Sequence, residues 1–122
     1  MAEIISLLGS TGSIGRQTLD ICREQGIKVA ALTAHSSIDL LERQAREFRP
    51  RLAAVYEMEP ALELNRRLAG EGIEVAYGLD GLRRAASLAE IDTVVTAVVG
   101  MVGLWPTMAA IESGKRVALA NK

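Results

Sequence analysis

The 122 residues include one cysteine, Cys22, and one histidine, His35. A lone cysteine excludes a disulfide framework within the chain and any zinc-finger spacing. Aromatic residues make up only 3% of the sequence, too few to build the stacking platforms of a single-strand binder. Neither sign of charge is in excess: 14 Lys+Arg face 15 Asp+Glu, a net charge of -1. That balance gives no footing for a nucleic-acid or membrane-surface partner, and neither is expected. No apolar run approaches the ~18 residues of a membrane span. The first ten residues, MAEIISLLGS, enter a strand pattern with no basic leader or small-residue cleavage site. These absences leave a soluble cytoplasmic protein as the expectation.

What is present is an alternation. Hydrophobic residues form 49% of the chain, enough for a core, and the length suits one domain over residues 1–122. Strand patterns fall at Ile4–Leu8, Ile27–Thr33, Leu52–Tyr56, Ile73–Tyr77, Thr93–Val99 and Arg116–Ala120. Helical spacing fills the intervals: Ser13–Gln25, Ile38–Phe48, Glu59–Ala69, Leu79–Leu88 and Leu104–Ser113. Ile73–Tyr77 is short and partly polar, as an edge strand should be. Thr93–Val99 is nearly all apolar, as a central strand covered on both faces should be. Gly100–Gly103 reads as a turn, which puts Pro106 in the first turn of the last helix, where proline is tolerated. Ile21 and Cys22 are assigned to the inner face of the first helix, and Ala61, Leu62, Leu64 and Leu68 to that of the third. Repeated strand–helix–strand units imply right-handed crossovers and an α/β, Rossmann-like, doubly wound and mostly parallel sheet. The closing segment RVALANK reads as a buried strand with Asn121 and Lys122 at its tip, where such sheets place ligands.

The stretch Gly9-Ser10-Thr11-Gly12-Ser13-Ile14-Gly15 leaves the first strand and opens the first helix, the setting a dinucleotide fingerprint requires. Gly9 permits the tight turn, Gly12 allows backbone to approach a pyrophosphate, and Gly15 allows close packing of the helix. Backbone N–H groups from Thr11 to Ile14, at the positive end of the helix, then face the phosphates. The spacing G-x-x-G-x-x-G is one residue longer than the dehydrogenase form, so a glycine-rich turn that merely connects two elements is the competing reading. After the second strand, where NAD enzymes carry an acid for the ribose 2′-hydroxyl, the chain has His35, Ser36 and Ser37, with no carboxylate before Asp39. This favours NADP(H). One charge-assisted contact to a 2′-phosphate is worth ~1.5–3 kcal/mol, a roughly tenfold or greater preference over NADH. His35 is either a solvated loop residue or a contact to adenosine or its 2′-phosphate. Cys22 reads as a small packed apolar residue, Trp105 as helix packing, and Glu42, Arg43, Arg66 and Arg67 as solvated faces.

Three stretches, LLGSTGSIGRQTLDI, AVVGMVGLWPTMAAIESGK and ALANK, together with FRPRLAAV, make the chain similar to the N-terminal NADPH-binding domain of the 1-deoxy-D-xylulose 5-phosphate reductoisomerases. The resemblance covers the whole chain but only the first third of the family's length, so the metal- and substrate-binding domains are absent. It implies a protein of isoprenoid biosynthesis that rearranges 1-deoxy-D-xylulose 5-phosphate and reduces it with NADPH to 2-C-methyl-D-erythritol 4-phosphate, with a magnesium or manganese ion chelating the substrate. It further implies that Thr11, Gly12, Ser13 and Ile14 hold the pyrophosphate. Ala97 and Gly100 would line the cofactor cleft, Asn121 would lie beside the nicotinamide half, and Lys122 would reach the phosphosugar. No catalytic or metal-ligating residue is assigned within the chain. The family implies a homodimer at full length, with the isolated 122 residues expected to be monomeric and inactive. Where many members show Gly, Lys or Arg, and Asn after the second strand, this chain has His35, Ser36 and Ser37. Two other readings stand beside this one: the dinucleotide domain of an aspartate-semialdehyde-type dehydrogenase, for which Cys22 is wrongly placed, and a free-standing NAD(P)-sensing module.

Overall fold

The computed structural model describes residues 3–98 and 101–119. Six strands and five helices alternate: β1 (Ile4–Leu8), α1 (Ser13–Gln25), β2 (Lys28–Ala34), α2 (Ile38–Phe48), β3 (Leu52–Val55), α3 (Met58–Arg67), β4 (Glu74–Tyr77), α4 (Gly78–Ala86), β5 (Thr93–Thr96), α5 (Met101–Glu112) and β6 (Arg116–Leu119). The strands form one sheet in the order β4-β3-β2-β1-β5-β6, and every pairing is parallel. The chain thus runs outward from β1 to the β4 edge, crosses back, and continues outward on the other side. Right-handed crossovers require that reversal to change faces. Accordingly Leu19 and Cys22 of α1, Leu41 and Ala45 of α2, and Ala61 and Leu64 of α3 share one core. Ala85 and Ala86 of α4 and Ala110 of α5 lie in the other.

The winding is as the alternation of patterns implies, and β4 is an edge strand as its polar content suggests. Several details differ. Ile21 is 55% exposed and Leu62 is 54% exposed, so neither belongs to its helix's inner face. In α1 that face is set by Gly15, Leu19 and Cys22, and in α3 by Ala61 and Leu64; an immediate helical neighbour is turned ~100° away. The final strand is not buried. β6 is the second sheet edge, and Leu119 is 67% exposed. β5 is shorter than its apolar run, ending at Thr96.

Residues 101–103 are helical rather than a turn, and Pro106 therefore sits inside α5, not in its first turn. Gly103 misled as a turn signal. Its role is clearance, because a Cβ there would come within 2.8 Å of the Val98 carbonyl oxygen. Pro106 has no N–H to offer the carbonyl one turn back. The next hydroxyl, Thr107 Oγ1, donates to the Gly103 carbonyl at 2.7 Å.

Candidate functional site

β1 and β5 are neighbours whose following connections run in opposite directions, which makes their C-terminal ends the switch point of the sheet. Open α/β sheets leave a crevice there. A cleft of about 290 Å³ occupies it, running from Gly9, Gly12, Ala97 and Val98 across to His35 and Tyr56.

The glycine loop forms one end of the cleft. Gly9 leaves β1 with φ +85, a conformation open to glycine at little cost, and a Cβ on it would fall 2.7 Å from Val98 Cγ2. Gly15 is buried against the start of the same loop, where a Cβ would lie 2.7 Å from Ser10 Cα. The close approach that Gly15 permits is therefore chiefly helix to loop. Gly12 is different. It is the N-cap of α1 in extended conformation (φ -79, ψ 177), and nothing lies within 4 Å of a Cβ built on it. Gly12 borders the cleft, and the space over it is open. The N-cap is a glycine with no side chain to cap the helix, and no acid sits in its first turn. The N–H groups that open α1, from Ser13 and Ile14, lack intrahelical acceptors and carry the positive end of a 13-residue helix. Thr11 lines the cleft beside them.

Hydrogen bonds, some of them buried, hold the loop in place. The Gly9 N–H donates to Thr33 Oγ1 at 3.0 Å, and the Ser10 N–H donates to the Thr33 carbonyl at 2.9 Å. Ser10 itself is fully buried. Its hydroxyl donates to Gln44 Oε1 at 2.7 Å, while Gln44 Nε2 donates back to the Ser10 carbonyl at 2.9 Å. The Ser10 hydroxyl thus anchors the loop to α2 and faces away from the cleft. Gln44 went unrecognised in the sequence. The available signal was a polar residue three after Leu41 and four before Phe48, on a face otherwise apolar.

The other end of the cleft is built where β2 and β3 finish. His35 follows β2, Tyr56 follows β3, and their rings stack with centroids 5.3 Å apart at 24°. His35 Nε2 lies 3.1 Å from Glu57 Oε2. Backbone bonds tie the two strand ends together: Tyr56 N–H to the Ala34 carbonyl at 3.0 Å and Glu57 N–H to the His35 carbonyl at 3.1 Å. This corrects one premise. The loop after β2 has no nearby acid in sequence, but β3 brings a carboxylate to it in space. Ser36 is half-buried and Ser37 exposed at the N-cap of α2, with no side-chain capping bond there. Gly100, Asn121 and Lys122 lie outside the described residues.

Cys22 is 2% exposed, and burial, reinforced by Glu3, pushes its thiol above the ordinary value. A neutral, enclosed thiol is a packing residue and a poor nucleophile. Glu42, Arg66 and Arg67 are not simply solvated: Arg67 joins Asp39, Glu42 and Glu63, and Arg66 pairs with Glu63. Arg83 lies over the Trp105 ring, 5.9 Å from its centroid.

A glycine loop at the switch point of a parallel sheet, opening an uncapped helix onto a cleft, defines a Rossmann-like α/β domain. The family model for 1-deoxy-D-xylulose 5-phosphate reductoisomerase matches residues 5–122, and the chain belongs to that family. The reductoisomerase of Ruminiclostridium cellulolyticum is 57% identical over 122 residues, all of this chain and 32% of the relative. A crystal structure of DOX-P reductoisomerase in complex with magnesium superposes with a TM-score of 0.92 at 37% identity, covering 99% of this chain and 31% of that one. The Zymomonas mobilis enzyme in complex with NADPH gives 0.91 at 36% identity, covering 99% of this chain and 32% of its own. The chain therefore spans about a third of the length of the relatives it matches. A magnesium site does not fit the residues in hand: among those described, no three His, Cys, Asp or Glu side chains converge to hold a metal ion.

Proposed function

We propose that the chain is the NADPH-binding domain of a 1-deoxy-D-xylulose 5-phosphate reductoisomerase, acting in the cytoplasm on a phosphosugar as part of a longer, homodimeric protein. The observation that carries this reading is the uncapped start of α1 beneath an open Gly12, at the switch point of a domain whose family is established. In it, the N–H groups of Thr11, Gly12, Ser13 and Ile14 receive the pyrophosphate, because a helix N-terminus offers both donors and favourable charge. Ala97 borders the cleft through its backbone, and His35, Ser36 and Ser37 stand at the adenosine end. Gly100, Asn121 and Lys122 take the nicotinamide and substrate side by resemblance alone. Bound there, NADPH would supply the hydride for reduction of the rearranged aldehyde.

Calorimetry of the chain with NADPH tests the site. Binding is expected, and Gly12→Val should abolish it with the fold intact: the backbone at Gly12 is extended, and a side chain meets only open space. Undiminished binding by that variant would remove the loop as the phosphate site.

The reading also holds that residues 1–122 do not turn over substrate by themselves. Support comes from the coverage of a third of each relative and from the lack of a converging acidic cluster among the described residues. A divalent ion needs several oxygen ligands in fixed geometry, and hydride transfer needs the carbonyl held at near-attack distance. The check is NADPH oxidation with 1-deoxy-D-xylulose 5-phosphate and magnesium. Turnover by the 122 residues would overturn the requirement for further parts.

A further inference from the structure

We propose that Glu57 sets how this chain discriminates at the ribose 2′ position, weakening its preference for a 2′-phosphate over a 2′-hydroxyl. The inference rests on the nucleotide-site reading above. If the pyrophosphate lies at Gly12, the cleft places the adenosine half toward the ends of β2 and β3, where His35 and Tyr56 form its far wall. The groups that read the 2′ position are expected after β2. His35 is the ring available there, and Glu57 governs what it can do.

An ionised carboxylate only accepts hydrogen bonds. The 3.1 Å contact between Glu57 Oε2 and His35 Nε2 therefore makes Nε2 the donor. In the neutral imidazole that consumes the single N–H and leaves Nδ1 as an acceptor. An acceptor takes a hydrogen bond from a ribose hydroxyl and has none to donate to a phosphate. Stacking on Tyr56 holds the ring in this arrangement. The Glu57 charge adds to the effect: among the described residues its side chain pairs with no arginine or lysine, only with His35. It thus presents a negative charge to the place a phosphate dianion would enter. The hydroxyls of Ser36 and Ser37 remain as neutral donors. The consequence is a chain that binds NADPH with less than the roughly tenfold preference a free cationic or donor group would give.

The substitution that isolates this is Glu57→Gln, with Glu57→Ala to release Nε2 altogether. Glu57 is the N-cap residue of α3 but makes no side-chain capping bond, and it is exposed, so neither change strips a helix cap. Affinities of the unsubstituted chain and both variants would be measured by calorimetry for NADPH and NADH, and for adenosine 2′,5′-bisphosphate against 5′-AMP. Removing one charge beside a dianion, at solvent dielectric and ordinary salt, should raise the NADPH-to-NADH affinity ratio about three- to tenfold. The gain should come from tighter NADPH binding, and the adenosine probes should move in parallel. A ratio unchanged in both variants, with both nucleotides still bound, overturns the role of Glu57 and leaves the nucleotide site standing. Failure of the unsubstituted chain to bind any of the four probes overturns the site and this inference together.

Discussion

The two faces of the sheet are finished differently. Over α1, α2 and α3 the outer surface is laced with ion pairs. Arg23 bridges Asp20 and Glu47, Arg46 and Arg49 converge on Glu71, and Arg67 gathers Asp39, Glu42 and Glu63. Over α5 the surface is more apolar: Leu104, Trp105, Met108 and Ile111 are 43%, 40%, 39% and 61% exposed, with Arg83 over Trp105, and Leu119 is exposed on the β6 edge. A helix with water on one side carries its charge there. The first face carries charge in these pairs, with Ile21, Met58 and Leu62 exposed among them. The second exposes large apolar side chains along α5, with ion pairs on α4 beside it.

The largest effect separating the faces should come from beneath the charged one. Leu64 is fully buried in the core under α3. Leu64→Ala removes its transfer free energy and leaves a cavity, at a cost of about 2–5 kcal/mol. Denaturant unfolding of the 122-residue chain measures it directly. A loss below about 1 kcal/mol would mean that the α1–α3 core is loosely packed.

A much smaller change is expected on the other face. Ile111→Gln alters a side chain already 61% exposed, so unfolding of the same chain should shift by no more than about 0.5 kcal/mol. Its solubility should rise. If Ile111→Gln instead destabilises the isolated chain as Leu64→Ala does, α5 is finished within these residues and the contrast between the faces fails.

Most of the winding was legible before the structure. β1, α1 and α2 fall on the residues their patterns indicate, because strand and helix periods are local. The glycine loop was legible for the same reason: one short stretch contains the turn, the phosphate approach and the helix start. What was not legible lies between strands. Nothing in the spacing from His35 to Glu57 says that these two share a corner; that follows from β2 and β3 being parallel neighbours, with Ala34 opposite Val55. The exposure of β6 depends on sheet order, not on its own apolar residues. Gly103 and Pro106 show a third limit. Gly103 reads as part of a turn and Pro106 as a first-turn residue, yet both lie inside α5, whose start passes close to Val98 just beyond β5.

The smallest predicted effect sharpens the charged side of the comparison. Hydrogen bonding from Arg67, Arg23 and Arg49 holds the carboxyls of Asp39, Glu47 and Glu71 below their ordinary values. In the unfolded chain those partners are gone, and the same groups titrate near pH 4. Between the folded and unfolded values the unfolded state binds more protons, so stability falls as pH falls through that window. The contribution is fully present above the ordinary carboxylate range and is lost on acidification; no change is expected from these groups between pH 6 and 8. Asp39 and Glu47 are exposed and Glu71 is half-buried at the surface, and screening keeps each term small. Urea unfolding from pH 7 down to pH 3 should therefore show a shallow acid decline. Glu71→Gln, which removes the shared partner of Arg46 and Arg49, should flatten part of it. Added salt should flatten it further by weakening the pairs. An acid limb that survives both salt and the substitution unchanged would assign the decline to other carboxyls, and the ion pairs of α1, α2 and α3 would then be surface dressing without energetic consequence.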